Sequence, residues 1–253
     1  MIDWCAYCQT WQGEIPPFDS WAMSHGICAS CFEQGRVDDP TAVGTVMPVA
    51  TFFRRIRSEA RRGFTTPAAA VLEQAEKLKL RPMELLVGLL QPALDEIGQL
   101  WERGEVTVAA EHRFSAMVQT VATLVLERAR GAITNPVQPL DFMLVNAQGN
   151  HHTLGALVVE AFLLTQGRRG FALIPGLPVR EVLDQVKSLR PKTLGISVAR
   201  PGELEMVEQV CAGLVPEQRP QVVVGGSAIR LGARPDPALG VSVCTDLRAL
   251  IVL

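Results

Sequence analysis

The sequence lacks the features that would place it in a membrane or on nucleic acid. Its 253 residues carry a formal net charge of -2, so no overall basic surface is available for a phosphate backbone. No apolar run reaches the length that crosses a bilayer, and no basic stretch followed by an apolar one begins the chain. We therefore expect a soluble, cytoplasmic protein. Hydrophobic residues make up 48% and charged residues 20%, which predicts an ordinary globular core.

Cysteine is scarce except in the first segment. Four of the six cysteines form two Cys-x-x-Cys pairs, and this clustering without a secretion signal favours a metal over disulfides. Four thiolates presented from two tight turns suit the tetrahedral coordination of zinc. Replacement of one of them by His25 is the alternative. The cysteines are Cys5, Cys8, Cys28 and Cys31 for the zinc site, then Cys211 and Cys244, which we expect to be small buried apolar residues.

The segment 1–35 is interpreted as a zinc-binding module. It is short and rich in tryptophan, so its folding should depend on the metal. Its words CAYCQTW and SHGICASC resemble a small Cys-rich module attached to bacterial sensor kinases and other signalling proteins. The following residues 36–50 mix glycine, prolines and acids, and they are interpreted as a linker.

Helical periodicity dominates the next segment, residues 51–136. Pro67 and Pro82 stand where helices begin, and leucines recur at helical spacing between 85 and 100. Four helices with short connections predict a bundle. The first helix is rich in arginine and is expected to be either a solvated, partner-facing surface or a phosphate-contacting patch. These arginines are Arg54, Arg55, Arg57, Arg61 and Arg62.

Alternating apolar runs and helical segments follow in residues 137–253. The runs FMLVNA, FALI, TLGISVA, QVVVGG and VSVCT are candidate strands, and the intervening stretches have helical length. This alternation predicts a five-stranded parallel sheet of Rossmann-like type with helices on both faces. The expected fold is therefore α/β, with a helical bundle as a cap before the sheet domain and a small zinc module at the start.

The loop after the first strand of this sheet contains two histidines, His151 and His152. Ligands of an open α/β sheet bind at the carboxyl ends of its strands, so the loop lies where a ligand is expected. The spacing Asn150-x-His152-x-x-Gly155 resembles the Asp-x-His-x-x-Gly signature of cobalamin-binding domains. That resemblance implies that His152 coordinates cobalt from below and that Gly155 leaves room for the displaced nucleotide tail. His151 is either a solvent-facing residue or a hydrogen-bonding neighbour of the corrin.

Two later strand ends agree with the same resemblance. Ser197 corresponds to the serine of the family's Ser-x-Leu element, and Gly225-Gly226 corresponds to its glycine pair, which together line the tail slot. The chain departs from the pattern at Asn150, which replaces an acid, and at Ala199, which replaces a leucine. An amide can hold His152 in the ligating tautomer but adds no negative charge, so weaker lower ligation is expected.

A second motif lies at one end of the predicted bundle. Trp101 closes one helix, and Glu111 and His112 stand in the first turns of the next. This spacing resembles the cap of light-sensing cobalamin proteins, the CarH-type photoreceptors and AerR-type antirepressors. The resemblance implies that Trp101 covers the upper face of adenosylcobalamin and that the Glu-His pair contacts the adenosyl group. Glu102 stands where CarH has its second ligating histidine, so either His112 or water is the expected upper ligand after photolysis.

These motifs predict a cobalamin-dependent light sensor that acts through a regulatory protein partner and is not an enzyme. Light-dependent oligomerisation is one expectation, and contact with a protein is favoured over direct operator binding because no helix-turn-helix is evident. A corrinoid carrier of a methyltransferase system is the alternative, although a large Trp101 would obstruct access to the upper face. An interaction module with a vestigial pocket is the third hypothesis. A mutase is excluded by length, since its substrate barrel does not fit.

Overall fold

The computed structural model describes residues 1–17, 20–38, 42–131, 140–245, 247 and 250. The chain divides into two compact units, residues 1–121 and 122–253. The first unit holds the four-cysteine segment together with most of the helices, and the second holds the parallel sheet. Within the described residues, no helix is both long and apolar enough to cross a membrane.

The N-terminal segment folds around a two-stranded antiparallel ribbon. Strands β1 (Ile2–Trp4) and β2 (Trp11–Glu14) pair with each other, and the short helix α1 (Ala29–Glu33) follows. Trp4 and Ile2 are fully buried, although the segment is far too short to enclose them by itself. Their burial needs a second surface, which the helices of the same unit supply.

Four helical segments follow, as the periodicity predicts, and the last of them continues past residue 121 into the second unit. Thr66-Pro67 precedes the helix α3 (Ala68–Lys77), and Pro82 begins the helix that follows α3. That helix has a π-helical segment, Glu84–Leu90, in which every residue is buried. Apart from Glu84, the run ELLVGLL is apolar on all sides, so it needs apolar partners all around it. The bounds are α2 (Ala42–Arg61), α3 (Ala68–Lys77), the π-helical segment followed by α4 (Gln91–Glu102), and α5 (Val108–Gly131).

The interpretation of residues 36–50 as a linker is wrong for its second half. A 3-10 turn spans Arg36–Asp38, and α2 is already helical from Ala42, with Pro48 inside it. Val46 and Val49 are buried and continue the apolar face of Phe53 and Ile56. Their spacing of three and four residues is helical, and packing along this face maintains the helix despite the proline. The predicted boundary between residues 136 and 137 lies outside the described residues.

The described part of the second unit contains a five-stranded parallel sheet, as predicted. Its strand order is β4-β3-β5-β6-β7, and all neighbouring pairs are parallel. The connection after β3 goes to one side of it and the connection after β4 returns to the other side, so the order reverses between β3 and β5. The strands are β3 (Phe142–Asn146), β4 (Gly170–Leu173), β5 (Thr193–Ser197), β6 (Gln221–Gly225) and β7 (Ser242–Val243).

Helices of this unit follow the strands in alternation. The central strand β3 is buried along its whole length, and it packs in a core with Val182, Val207 and Ile229 from three different helices. Burial of both faces explains why β3 is an uninterrupted apolar run. The helices are α6 (Thr153–Thr165), α7 (Val179–Leu189), α8 (Leu204–Gly213) and α9 (Ser227–Arg230).

Candidate cobalamin and metal sites

The loop after β3 lies at the point where the strand order reverses. Asn146, the last residue of β3, is paired in register with Ser197, the last residue of β5. In open α/β sheets, the crevice at such a switch point is the usual ligand site. The loop that carries His152 and the residue Ser197 therefore lie next to each other, at the carboxyl ends of the adjacent strands β3 and β5 where the crevice is expected.

Hydrogen bonds hold the backbone of this loop in one conformation. Asn150 is 1% exposed, and its Oδ1 accepts from the backbone N–H of His152 at 2.8 Å. Its own backbone N–H donates to the carbonyl of Ala147 at 2.9 Å. Asn146 Nδ2 donates to the carbonyls of Asn150 and His152 at 3.4 and 3.3 Å. Two buried amide side chains thus fix the turn that presents His152.

The imidazole of His152 projects from this fixed turn. It is exposed, and within the described part of the chain no hydrogen bond occupies either ring nitrogen. His152 also precedes α6 as its N-terminal flanking residue, but its side chain makes no capping bond. A simple capping role therefore does not explain the residue. His151 is exposed as well, which is compatible with either expectation for it, a solvent-facing residue or a hydrogen-bonding neighbour of the corrin.

Room for a ligand is visible around the glycines of the motif. A β-carbon on Gly155 would meet no atom within 4 Å, so the space beside the first turn of α6 is open. Gly226 has φ of 111°, and a β-carbon there would stand 2.3 Å from the carbonyl oxygen of Val198. Only glycine fits at position 226. The exposed donor, the open space and the tight glycine turn fit the lower face and tail of a cobalamin.

Two features of the crevice were missed by sequence reasoning. The Oδ1 of Asn146 is buried and has no hydrogen-bond partner among the described residues, so it is an acceptor available to a water or ligand. Glu203, just before α8, binds Asn150 and the backbone N–H of Ala199. Glu203 ends the 3-10 turn Pro201–Glu203 between β5 and α8, and an acid in this strand-to-helix connection is the sequence signal for it.

The cap residues are described within the first unit. Trp101, next to last in α4, is 44% exposed, and Gly104 has φ of 74° in the following turn. Glu111 lies in the first turn of α5, where it bonds the Nδ1 of His112 and accepts from Ser115 Oγ at 2.6 Å. The helix end and helix start are thus as expected. Contact of these residues with a cofactor stays a prediction.

The four cysteines of the first segment form one group. Their sulfur atoms lie within 4.8 Å of one another, and Cys8 and Cys28 Sγ are 3.8 Å apart. Tetrahedral coordination with zinc–sulfur bonds of about 2.3 Å places sulfurs about 3.8 Å apart. His25 is exposed and does not belong to the group. The donor set therefore fits a closed, tetrahedral metal site made of the predicted cysteines.

The pKa values of the Cys5 and Cys31 thiols in this group also favour binding of a cation. Burial opposes ionisation of Cys5, but backbone N–H donors of Cys28, Cys8 and Tyr7 outweigh it and lower its pKa to about 7. Burial, and then the neighbouring thiols, raise the pKa of Cys31 to about 12. Four thiolates therefore cannot coexist here unaided, whereas a bound metal ion deprotonates its thiol ligands.

The metal group is joined to the helices by polar contacts. Cys8 Sγ lies 3.0 Å from Thr10 Oγ1, which accepts from Arg81 at 3.1 Å. The same guanidinium forms a two-pronged ion pair with the buried carboxylate of Glu84, at the start of the π-helical segment. The four-cysteine segment is therefore docked on the helices, a point that the sequence left open.

Two arginines of α2 form ion pairs inside the first unit. The sequence predicted instead a solvated, partner-facing surface or a phosphate-contacting patch. Arg57 and Arg61 both bind Glu96, whose side chain is 2% exposed. Arg57 also donates to the carbonyl of Trp21 at 3.1 Å and thereby contacts the four-cysteine segment. Of the five arginines, these two bind a residue of another helix, whereas Arg54, Arg55 and Arg62 contact Thr51, Glu59 and Ser58 of α2 itself.

Comparison with known proteins gives a family match in the helical part of the chain rather than at the crevice. Residues 53–125 match the model of the B12 binding domain family. The chain is 28% identical over 187 residues to the HTH-type transcriptional repressor CarH of Myxococcus xanthus, covering 72% of this chain and 60% of that protein. It therefore spans about three fifths of the length of CarH.

Corrinoid proteins are similar to the chain to a comparable degree. The dimethylamine corrinoid protein of Methanosarcina barkeri is 26% identical over 167 residues, covering 62% of this chain and 75% of that protein. The solved monomethylamine corrinoid protein of Methanosarcina barkeri superposes with a TM-score of 0.59 at 13% identity, over 80% of this chain and 96% of the other. That structural likeness concerns the fold alone.

Proposed function

We propose that this chain, which belongs to the cobalamin-binding proteins represented by CarH and the corrinoid proteins, is a light-sensing regulator that uses adenosylcobalamin. The observation that carries the proposal is the exposed imidazole of His152 on a loop fixed by buried amides at the switch point. Bound adenosylcobalamin supplies a cobalt atom that takes a nitrogen ligand and a cobalt–carbon bond that light breaks.

The residues of the second unit would hold the lower half of the cofactor. His152 would offer a ring nitrogen to cobalt, since its backbone is fixed and its ring makes no hydrogen bond with the described residues. The open space beside Gly155 admits the nucleotide tail, and Ser197 with Gly225-Gly226 lines its slot. Asn150 orients the loop through the backbone of His152, so its amide acts on the position of the ring rather than on its charge.

Residues of the first unit would contact the upper half of the cofactor, where the adenosyl group lies. The indole of Trp101 is 44% exposed at a helix end, and the planar adenine of an adenosyl group is a suitable partner for aromatic stacking on it. Glu111 and His112 supply polar contacts to the same group. Loss of those contacts on illumination would give the helices two arrangements of different free energy, which is the minimum for a switch.

We also propose zinc as the metal of the four-cysteine group, with a structural role. All four positions of the tetrahedron are occupied by cysteines, which leaves none open for a substrate. The docked segment then provides a surface through which a regulatory protein partner could sense the helices. No reaction is assigned to the chain itself.

The decisive experiment is reconstitution in the dark with adenosylcobalamin, followed by absorption spectra and size-exclusion chromatography before and after green illumination. We expect a stable photoproduct and a change in size or shape. His152→Ala should abolish the spectrum of the histidine-ligated cofactor, whereas the matched variant His151→Ala should retain it. A photoproduct that leaves the assembly unchanged would contradict the sensor.

The alternative function is a corrinoid carrier of a methyltransferase system. It is favoured by the match to the dimethylamine corrinoid protein, which covers 75% of that protein against 60% of CarH. A carrier must expose the upper face to its partner enzymes, so it should prefer methylcobalamin and be insensitive to removal of the Trp101 indole. A clear preference for methylcobalamin in competition would place this function first.

A further inference from the structure

The carboxylate of Glu203 joins the two loops of the crevice. Its side chain is 9% exposed, and Oε2 accepts from Asn150 Nδ2 at 3.2 Å and from the backbone N–H of Ala199 at 2.7 Å. Its other oxygen accepts from the exposed Arg200 at 3.2 Å. One acid thus links the loop that carries His152 with the loop that follows β5.

The chemistry at position 150 is complementary to this acid. The Asn150 side chain accepts from His152 N–H through Oδ1 and donates through Nδ2 to Glu203 and to the carbonyl of Ser197 at 3.3 Å. An ionised carboxylate only accepts hydrogen bonds. At position 150 it would keep the first bond but direct its second oxygen toward two acceptors, one of them charged, in a buried place.

We propose that Glu203 is a positioning residue for His152, and that the Asn150–Glu203 amide–carboxylate pair replaces the single acid of the cobalamin-binding motif. The inference rests on the proposed lower ligation by His152. It explains why an amide stands where the motif has an acid: the carboxylate has moved to the neighbouring loop, and two acids would repel each other. An acid at position 150 is then compatible with this chain only when position 203 is neutral.

The test is a charge-exchange cycle in the full-length protein, with Asn150→Asp, Glu203→Gln and the double variant compared with wild type. Glu208→Gln removes an exposed acid of α8, the helix that follows Glu203, and serves as the matched control. Two properties are measured. The first is hydrogen exchange of the peptide covering residues 147–153 without added cobalamin. The second is cobalamin affinity together with the nitrogen hyperfine splitting of the cobalt(II) form in electron paramagnetic resonance.

We expect Asn150→Asp to lose exchange protection in the loop and to weaken cobalamin binding by about 10- to 100-fold, the usual cost of disturbing the partner of a metal ligand. The double variant should recover both properties, because the amide and the carboxylate have only exchanged places. Glu208→Gln should behave as wild type. The recovery is the informative result, since generic damage to the loop would be worse in the double variant.

Two results would overturn the pair: an Asn150→Asp variant that behaves as wild type, or a double variant no better than Asn150→Asp. Failure of the proposed function looks different. If wild-type protein shows no nitrogen splitting or does not bind cobalamin, His152 is not the lower ligand. The charge-exchange variants still test the Asn150–Glu203 pair in that case, because hydrogen exchange of the loop is measured without cofactor.

Discussion

Gly88 lies so close to Trp11 that a β-carbon at position 88 would stand 3.0 Å from the β-carbon of the indole residue. The same β-carbon would be 3.0 Å from the ring of Trp4. A glycine inside the π-helical segment therefore lets the four-cysteine segment approach the helix backbone. The contact connects the four-cysteine segment to residues 53–125, the part of the chain that matches the B12 binding domain.

Enlarging position 88 should separate the module from the helices while all four cysteines remain. We expect Gly88→Leu to reduce the free energy of unfolding by about 1 to 3 kcal/mol, because the new side chain meets two packed indoles. The measurement is chemical denaturation followed by tryptophan fluorescence. Gly98→Leu is the matched control, since a β-carbon there meets nothing within 4 Å. An equally stable Gly88→Leu protein would mean that the docked contact is not rigid.

Much of this architecture could be predicted from sequence, for identifiable reasons. The five strands are apolar runs of strand length that end at turn residues, and the cysteine pairs have a spacing that few structures other than metal sites require. The start of α2 was missed because Pro48 was given more weight than the spacing of Val46, Val49 and Phe53. Glu203 was missed because its partner Asn150 is 53 residues away, and only the pairing of β3 with β5 brings them together.

The four-cysteine group should carry about one zinc ion per chain, measured by metal analysis of the purified protein. Cys28→Ser should release it and expose the tryptophans of the first segment, because the segment lacks a core of its own. Since the segment is docked on the helices, a strong chelator should also lower the unfolding midpoint of the first unit. Cys211→Ser alters a cysteine of the other unit and should keep its zinc; a wild-type metal content in Cys28→Ser would refute the assignment.

The Glu96 network should make the first unit sensitive to acid. Burial opposes ionisation of Glu96, but the guanidinium groups of Arg57 and Arg61 outweigh it and lower its pKa. The folded pKa therefore lies below the unfolded value of about 4.3. The stabilisation is fully present above that pH and is lost as pH falls through the folded pKa.

Replacing this carboxylate should remove that pH dependence. We expect Glu96→Gln to reduce the free energy of unfolding by about 3 to 5 kcal/mol at neutral pH, since two cations lose their buried partner. In acid, the free energies of unfolding of the variant and of wild type should differ less. Denaturation at several pH values, followed by far-ultraviolet circular dichroism, measures this. Glu73→Gln removes the carboxylate of an exposed pair with Lys77 and should leave the unfolding midpoint unchanged. If the difference in free energy of unfolding between Glu96→Gln and wild type stays constant across the acid range, Glu96 does not cause the sensitivity to acid.

Trp101 should determine which cobalamin is bound rather than whether the helices fold. Its indole is 44% exposed at the end of α4, so Trp101→Ala should lower the unfolding midpoint less than loss of a fully buried aromatic residue such as Phe114, and the helices should still fold. The indole is proposed to cover the adenosyl group, and the preference for adenosylcobalamin over methylcobalamin should then fall by about tenfold, the equivalent of one aromatic contact of about 1.5 kcal/mol. Competition between the two cofactors in the dark measures this ratio. Phe64→Ala, which removes another exposed aromatic residue of the first unit, should leave the ratio unchanged. If Trp101→Ala and Phe64→Ala give the same selectivity, Trp101 does not cover the upper face, and access to that face would then favour the carrier.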